Sequence, residues 1–556
     1  MSVEQQLRTQ NTEYKDLLAK TLQELKIIEK LADVAKKDQQ AQQIITNIEF
    51  ALEEMQNQMG TEAAANSGAK KADRDLFDIP LLAEKNWIEP PLFAEIKSKL
   101  QAKVDAQKTP ILIEGECGMG KSMLAAHLAY DQDVRSQFSD GIFWIGMDAH
   151  SDIFQQYQRL AGFFNKSIQA FVEPENLLAY MQDLFAARCC LLILDNAEDI
   201  ESVLAFMELG NQCRVLITTH NATLPTFLQY KTNQTLHYQL APLEQPSAIE
   251  LLGDNSQQPM PSTDSSLNGI LETCASNPLA LKLAANTLAS WLETGMVSDT
   301  ESAWKQLLER LQEDDWEFDE GHPYYLMQAL YLYLEALGEQ GECYLVLAVF
   351  ADPSWMPVPI IFMLWQYMFN LPAQEAQSLL DDFAEKGLLQ QHGQGKQAYV
   401  SLHSFQYAYL HDFSDVDKLH QHMLAAYLRQ CGQGWLSGPD DGYFYTHVCT
   451  HLLKAGRLQE ARSLLLNFDW IKKSFQYGGL HHVIHDYGLL DDADLARIQH
   501  ALLMAASVLH EDPGLFASEL LDRLWQNASK DIQAMLNQAK ETLPTWEPPM
   551  PENNEV

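Results

Sequence analysis

The stretch that decides the fold is GECGMGKS (115–122), which fits the pattern G-x-x-x-x-G-K-[ST] at every fixed position. The apolar run TPILIEG (109–115) precedes it, and a helical pattern begins at Lys121. This strand–loop–helix order is what a phosphate-binding loop requires. Glycines let backbone N–H groups wrap around phosphates, and the helix N-terminus adds positive potential. Lys121 is predicted to reach the β- and γ-phosphates, and the Ser122 hydroxyl to ligate Mg²⁺. The predicted nucleotide-binding residues of this segment are Gly115, Gly118, Met119, Gly120, Lys121, Ser122 and Met123.

A second part of the predicted site ends the apolar run LLILD (191–195), about 70 residues after the loop. An acid at the end of a buried strand can orient Mg²⁺ through water, so Ser122 and Asp195 are the predicted metal-binding pair. The next residue is Asn196, where active ATPases often need a carboxylate. An amide can orient the attacking water but cannot take its proton. Lys121, Asp195 and Asn196 are therefore the predicted catalytic group, and we expect at most slow ATP hydrolysis.

The segments around these motifs alternate between strand and helix patterns. Apolar strands are predicted at DGIFWIGM (140–147), CCLLILD (189–195) and CRVLITT (213–219), with long helical stretches between them. Alternation of this kind predicts a parallel sheet covered on both faces. We assign residues 76–240 to this nucleotide-binding domain.

The remainder of the chain is predicted to be mostly helical. After residue 241, helical periodicity dominates, interrupted by the β-like piece QAYVSLH (397–403). Residues 1–60 read as two helices, forming either a hairpin that packs on the rest of the protein or an effector and oligomerisation module. Residues 61–75 are small and polar and read as a linker, and residues 546–556 as a proline-rich acidic tail.

Charge excludes two classes of partner. The 556 residues carry a formal net charge of −38, which argues against binding to a nucleic-acid backbone or to an anionic membrane. Residues 1–108 hold 15 basic and 18 acidic side chains, so nearly all of the excess acid lies beyond them. Neither a signal peptide nor an apolar run of 18 residues is found, and the eight cysteines lack C-x-x-C spacing. These features suit a cytoplasmic protein.

Several motifs in order resemble the NB-ARC proteins of the STAND class of P-loop ATPases, in particular the branch that activates apoptotic proteases. The resemblance spans roughly residues 85–540 and rests on the phosphate loop and on the segments LLILDNAED (191–199), RVLITTHN (214–221), NPLALKLAA (277–285), VFADPSWMPVPIIFMLW (349–365), LHSFQYAYL (402–410) and LLNFDWIKKSF (465–475). It implies a multidomain α/β plus α fold. The parallel-sheet domain would be followed by a first helical domain (241–315), a winged-helix domain (316–415) and a second helical or arm domain (416–545).

The resemblance also implies roles for residues outside the loop. Pro278 would pack against adenine, His403 would contact the β-phosphate of ADP, and Thr218 and Thr219 would lie beside the phosphates. This chain departs from the family pattern at three positions: His220 replaces the sensor Arg, Ser404 replaces the Asp after His403, and Glu89 stands roughly where the family has an Arg near adenine.

The function implied by the resemblance is an adenine-nucleotide-gated signalling switch. ADP would hold it closed. ATP or dATP with Mg²⁺ would favour self-association into a ring-like oligomer, comparable to an apoptosome or resistosome, that recruits an effector through residues 1–60. The activator would be an unknown ligand or a separate sensor. Two alternatives stay open: a continuously cycling remodelling ATPase, and a STAND-type transcriptional regulator.

Two histidine-rich segments and one cysteine were weighed as other sites. His481, His482 and His485, and separately His447, Cys449 and His451, have spacings that metal sites use. Neither forms a clear four-ligand set, so we interpret them as ordinary helix-face residues. The position of Cys117 near Lys121 and a helix N-terminus favours a lowered thiol pKa. Variable positions of such loops tolerate many residues, so we interpret its placement as incidental.

Overall fold

The structure is a computed structural model that describes residues 76–547, apart from 83–86, 103–108, 148–152, 167, 169–173, 233, 262–263, 314–321, 394, 396–397, 433 and 527. The predicted N-terminal module (1–60), the linker (61–75, of which none is described) and most of the tail (548–556) lie outside the described residues.

A six-stranded parallel sheet forms the first half of the described chain. Its strands are β1 (Leu76–Phe77), β2 (Ile111–Glu114), β3 (Ile142–Gly146), β4 (Leu191–Asp195), β5 (Arg214–Thr219) and β6 (Leu236–Gln239). Their spatial order is β1-β3-β4-β5-β2-β6, and every neighbouring pair is parallel. Because the strands are parallel, the carboxyl ends of the neighbouring strands β4, β5 and β2 lie at one edge of the sheet. Ligands of open α/β sheets bind at this edge.

Helices cover both faces of this sheet, as the apolar strands require. They are α1 (Leu92–Gln101), α2 (Lys121–Tyr130), α3 (Gln132–Arg135), α4 (Ile153–Phe163), α5 (Pro174–Phe185), α6 (Ile200–Met207) and α7 (Leu224–Thr232). Two separate apolar clusters result, one against each face of the sheet. Strand β4 illustrates why, since all five of its residues are buried.

Four helices follow the sheet: α8 (Gln245–Ser256), α9 (Asp264–Thr273), α10 (Pro278–Glu293) and α11 (Thr300–Leu311). The start of α10 is fixed locally, because Asn277 caps it and Pro278 occupies its first turn. Asp299 caps α11 in the same way.

A small antiparallel sheet with flanking helices comes next. The helices are α12 (Tyr324–Leu337), α13 (Glu339–Leu345), α14 (Val358–Phe369), α15 (Ala373–Lys386) and α16 (Ser404–Phe413), and the strands are β7 (Met356–Pro357), β8 (Gln390–His392) and β9 (Tyr399–Ser401). The strand order β7-β9-β8 is antiparallel throughout. We call the hairpin of β8 and β9 the wing.

The last part of the described chain is helical and shares one large core with the two preceding regions. Its helices are α17 (Val416–Gln430), α18 (Phe444–Lys454), α19 (Leu458–Leu465), α20 (Phe468–Gly488), α21 (Ala493–Glu511), α22 (Phe516–Leu524) and α23 (Lys530–Glu541). Helix α20 is kinked at Gly479, whose φ of 76° favours glycine. The predicted fold class, a parallel-sheet domain followed by many helices, is confirmed. Within the described part of the chain, no helix combines the length and the apolar character needed to cross a bilayer.

Candidate nucleotide-binding site

The loop between β2 and α2 has the shape of a phosphate cradle. Gly118 and Gly120 adopt φ values of 78° and 90°, which side chains disfavour. A Cβ atom on Gly118 would lie 2.7 Å from Oδ1 of Asn277, so only glycine fits beneath the following domain. Helix α2 begins directly after this turn, at Lys121. The loop therefore fits the phosphates of a nucleotide, as its sequence predicts.

Lys121 is held at the centre of the loop. Its side chain is 7% exposed, and Nζ donates hydrogen bonds to the carbonyl oxygens of Gly115 (2.9 Å) and Glu116 (2.8 Å). Burial lowers the pKa of the ammonium, and nearby acidic groups oppose this effect. A buried cation of this kind gains strongly from an anionic ligand.

Asp195 lies at the end of β4, beside the loop. Its carboxylate accepts a 2.5 Å hydrogen bond from Oγ1 of Thr218 and another from the Ser122 hydroxyl. Burial raises the pKa of Asp195, and these two hydrogen bonds are the next largest influence, in the opposite direction. Ser122 and Asp195 are thus brought together, and a hydroxyl beside a carboxylate is a donor set that fits Mg²⁺.

Asn196 has a partner that sequence reasoning missed. Its backbone adopts φ 59°, and its N–H donates to Oγ1 of Thr218 at 2.9 Å. Its side-chain Oδ1 lies 3.1 Å from Nδ1 of His220, the residue at the family's sensor position. Burial, with Lys121 adding to it, lowers the pKa of His220 to about 4. A neutral His220 donates through Nδ1 and so fixes the orientation of the Asn196 amide.

The two threonines at the end of β5 serve different groups. The Thr218 hydroxyl connects Asp195 and Asn196, as described above. The Thr219 hydroxyl instead donates to the carbonyl oxygen of Ala197 at 2.6 Å. Both residues are fully buried at the sheet edge beside the phosphate loop.

The N-terminus of α10 is bonded to the phosphate loop. The N–H of Leu279 donates to the carbonyl oxygen of Gly118 (3.2 Å), and Nδ2 of Asn277 donates to that of Cys117 (2.8 Å). Oδ1 of Asn277 accepts from the N–H groups of Leu279 (3.0 Å) and Ala280 (3.2 Å). Asn277 therefore caps the helix and joins it to the loop at once. Pro278, the predicted adenine contact, is half-buried beside it, at the first position of the helix.

Asn277 was not predicted as a site residue. The signal was available, since Asn before Pro matches the favoured first positions of a helix. The contact of this cap with the phosphate loop cannot be predicted from the sequence, because the two segments are far apart along the chain.

The winged-helix region reaches the same site through His403. This residue follows β9 and caps α16, whose first residue is Ser404. Burial lowers the pKa of His403 to about 4, and Lys121 contributes to that shift. His403, Asp195 and Asn196 line a small cavity of about 30 Å³ between the two regions. The structure thus places His403 beside Asp195 and Asn196, and its contact with a β-phosphate stays a prediction.

Other predicted residues contribute differently. Met119 is 5% exposed and packs within the core on one face of the sheet, whereas Met123 is half-buried. Gly115 lies against β6, where a Cβ would approach the carbonyl oxygen of Leu240 to 3.0 Å. Burial raises the pKa of the Cys117 thiol more than Lys121 lowers it. The influence of Lys121, which could lower this thiol pKa, is therefore outweighed by burial.

The histidines weighed as metal ligands have other partners. His451 lies 2.8 Å from His420 and 3.0 Å from the Tyr443 hydroxyl, while the His481 ring stacks on Phe154 at 4.8 Å. Across the described ranges, no three His, Cys, Asp or Glu side chains converge in a way that would hold a metal ion.

Comparison with protein families identifies two domains. Residues 92–258 match the NB-ARC domain, and residues 416–516 match the APAF-1 helical domain. The resemblance drawn from the motifs is thereby confirmed, and an NB-ARC domain implies nucleotide binding.

Curated relatives agree with these matches. Apoptotic protease-activating factor 1 of Danio rerio is 26% identical over 424 residues, covering 72% of this chain and 32% of the relative. The Homo sapiens protein is 23% identical with the same coverage. A probable disease resistance protein of Arabidopsis thaliana is 23% identical over 303 residues, covering 53% and 34%. The chain spans about a third of the length of these relatives.

Among solved structures, a chain from Drosophila ORC bound to DNA aligns with a TM-score of 0.30 and 13% identity, covering 64% of this chain and 99% of that one. Similarity at this level does not establish a shared fold.

Proposed function

We propose that this chain, which carries an NB-ARC domain and an APAF-1 helical domain, is an adenine-nucleotide-dependent signalling switch. ADP would hold the nucleotide-binding domain (76–240), the first helical domain (241–315) and the winged-helix domain (316–415) together. ATP or dATP with Mg²⁺ would favour an open form. One observation carries the proposal: α10 is bonded to the phosphate loop, and the half-buried His403 lies near enough to Lys121 for that charge to lower the histidine pKa. A ligand at this point would contact all three regions.

A switch requires that the two nucleotides differ in what they contact. A ligand shifts a conformational equilibrium only by its differential affinity for the two forms. The small cavity between Asn196 and His403 lies where the two regions meet, so a further phosphate group on this side would separate them. In this proposal, ADP fits the closed form and the γ-phosphate disfavours it.

The chemistry of the site supports slow turnover. Lys121 would bind the phosphates, Ser122 and Asp195 would hold Mg²⁺, and Asn196 would orient water. Mg²⁺ supplies charge neutralisation of the phosphate oxygens when it is bound. The Asn196 amide, fixed by His220, offers no carboxylate to take the proton from water. Slow hydrolysis suits a switch, because the bound nucleotide then persists as a state.

The assembly and its partners follow from the relatives by analogy. Their names connect them to the activation of apoptotic proteases and to disease resistance. We propose that the open form self-associates into a ring-like oligomer in the cytoplasm and that residues 1–60 recruit an effector in cell-death or immune-type signalling. The arm (416–545) would connect this switch to an activator.

Two measurements on the purified full chain test the proposal. After denaturation, the released nucleotide is identified by chromatography, and a switch should release about one ADP per chain. The mass in solution is then measured with ADP and with a non-hydrolysable ATP analogue, and only the analogue should produce an oligomer. An empty site with turnover above about 1 s⁻¹, within the range of ordinary enzymes, would instead indicate a cycling ATPase and overturn the proposal.

A further inference from the structure

A second connection between the nucleotide-binding domain and the winged-helix region lies beside the nucleotide site. It involves residues 78–82, which we call the strap. The strap continues from β1, which pairs with β3 of the large sheet. Further along, Pro80 bridges antiparallel to His392 of the wing, and the N–H of Leu81 donates to the Gln391 carbonyl oxygen at 2.8 Å. One short stretch of chain is therefore bonded to both regions.

A half-buried arginine lies beside the strap. Arg159 belongs to α4 of the nucleotide-binding domain, and its Nη2 lies 2.6 Å from Oδ2 of Asp78. Its guanidinium carbon also lies 4.6 Å from the ring centroid of Tyr399 in the wing. An arginine over an aromatic face gains a cation–π interaction, which is stronger when water is excluded. Arg159 thus joins the strap and the wing to α4.

A neutral histidine completes the cluster. Nδ1 of His392 lies 2.7 Å from the carbonyl oxygen of Asp78, so Nδ1–H donates to it. Nε2 lies 2.8 Å from the Ser401 hydroxyl and accepts from it. The ring stacks on Tyr399 at 4.5 Å, and burial lowers the pKa of His392 to about 3. Asp78, Arg159, His392 and Tyr399, which we call the clasp, form one hydrogen-bonded and stacked unit.

We propose that the clasp ties the strap to the position of the winged-helix region, so that opening of the switch releases the strap from the wing and frees its Leu81 amide. Opening would take the Tyr399 ring away from Arg159 and the His392 imidazole away from the Asp78 carbonyl oxygen, so these contacts should be lost together. Once the wing leaves, the strap loses the bonds of Pro80 and Leu81 with the wing. It keeps the ion pair of Asp78 with Arg159 and the packing of Ile79 against the large sheet. The strap follows residues 1–75 in sequence. Movement of the wing is thereby passed to the connection with the predicted effector module.

The clasp shares the small cavity with the nucleotide site. Arg159, His392 and Tyr399 line it together with Asn196 and His403. A rearrangement at the nucleotide therefore reaches the clasp without any long-range path. This inference rests on the proposed function only for its trigger, because the clasp itself is defined by contacts that involve no nucleotide.

Hydrogen exchange of the full chain tests the clasp, with the Leu81 amide as reporter. Without added nucleotide, the Leu81 amide of Arg159→Gln should exchange at least tenfold faster than that of the unaltered protein, while the Leu192 amide in β4 stays as slow. The matched control is Arg462→Gln, which removes an arginine paired with Asp492 and Asp531 in the arm and should leave Leu81 unchanged. Equal Leu81 exchange in Arg159→Gln and in the control would overturn the proposal.

Two further arms separate possible outcomes. If exchange at Leu192 also becomes faster in Arg159→Gln, that variant has lost its fold, and the milder Asp78→Asn variant is measured instead. Unchanged exchange at Leu81 in a folded Asp78→Asn variant would also overturn the proposal. The unaltered protein is then compared in ADP and in a non-hydrolysable ATP analogue. Faster Leu81 exchange in the analogue supports the coupling, and an oligomer that forms with Leu81 still protected would refute it. Failure to bind either nucleotide counts against the proposed function alone, since the variant comparison needs none.

Discussion

Asn277→Ala should loosen the hold of the first helical domain on the phosphate loop. In the structure Asn277 is fully buried and makes two kinds of bond. Its Oδ1 caps α10 through Leu279 and Ala280, and its Nδ2 donates to Cys117 in the loop. The substitution removes both and leaves the Cys117 carbonyl oxygen without that donor.

The two losses have separate magnitudes. Loss of an N-cap costs about 1 kcal/mol of stability, and loss of one hydrogen bond in a buried place costs about 1 kcal/mol more. The free energy of unfolding should therefore fall by about 2 kcal/mol. Of these two losses, only the lost hydrogen bond to Cys117 weakens the contact between α10 and the loop. A loss of about 1 kcal/mol there corresponds to about fivefold faster release of ADP, because 1.4 kcal/mol is a factor of ten.

The assay is the dissociation rate of fluorescent ADP, measured by chasing with unlabelled nucleotide. The matched control is Asp299→Ala, which removes the cap of the neighbouring helix α11, where Oδ1 accepts from Ser302 at 2.9 Å. The control should lose about 1 kcal/mol of stability and release ADP at the original rate. Equal dissociation rates in the two variants would refute the idea that the Asn277 contact helps to retain nucleotide.

Four further outcomes are expected. Lys121→Ala should weaken nucleotide binding at least tenfold in a fluorescence titration, because it removes the buried cation, and unchanged affinity would place the site elsewhere. Asn196→Asp should raise single-turnover hydrolysis about 100-fold, since a carboxylate can accept the proton, whereas an unchanged rate would show that proton transfer is not limiting. In the nucleotide-free protein, His392 and His403 have pKa values lowered to about 3 and 4, so the unfolded chain binds their protons first and stability falls with pH from about 6.5 to 4. Each of these two histidines should lower the free energy of unfolding by about 1 kcal/mol when the pH falls from 7 to 5.5. Urea unfolding midpoints that do not move over this range would contradict the prediction. Cys117, whose thiol pKa is raised by burial, should react with iodoacetamide at pH 8 more slowly than free cysteine, and faster reaction would contradict the burial.

The sequence predicts the central strands of the sheet because they are buried on both faces. The runs that become β2, β3, β4 and β5 are mostly apolar, so their positions can be read from the sequence, and β2, β4 and β5 end in the polar residues Glu, Asp and Thr. Local patterns of this strength also predict the phosphate loop, Lys121 and Asp195.

The edge strands are not readable in this way. Strand β6 has the sequence LHYQ with alternating burial, and β1 has only two residues, so neither carries a continuous apolar signal. Their pairing with β2 and β3 depends on the completed sheet. The contacts of Asn277 with Cys117 and of Arg159 with Asp78 and Tyr399 are equally out of reach, because they join residues from 81 to 240 positions apart. Such contacts are set by domain packing, for which one sequence gives no periodic signal.

The formal net charge of −38 should repel the phosphates of a nucleotide from the candidate site. Two of the acids nearest to the loop are engaged by hydrogen bonds. Glu114 lies 2.7 Å from Nε2 of His237, and Glu116 accepts from the Tyr325 hydroxyl at 2.8 Å. The second of these ties α12 to the loop, as Asn277 ties α10. Each such hydrogen bond contributes about 1 kcal/mol, so several weak interactions together hold the helices against the loop. A bound phosphate group that gains or loses two or three of these hydrogen bonds changes the balance by a few kcal/mol, which is enough to invert a population. Weak hydrogen bonds around the buried Lys121 therefore fit the proposed control of these regions by a bound nucleotide.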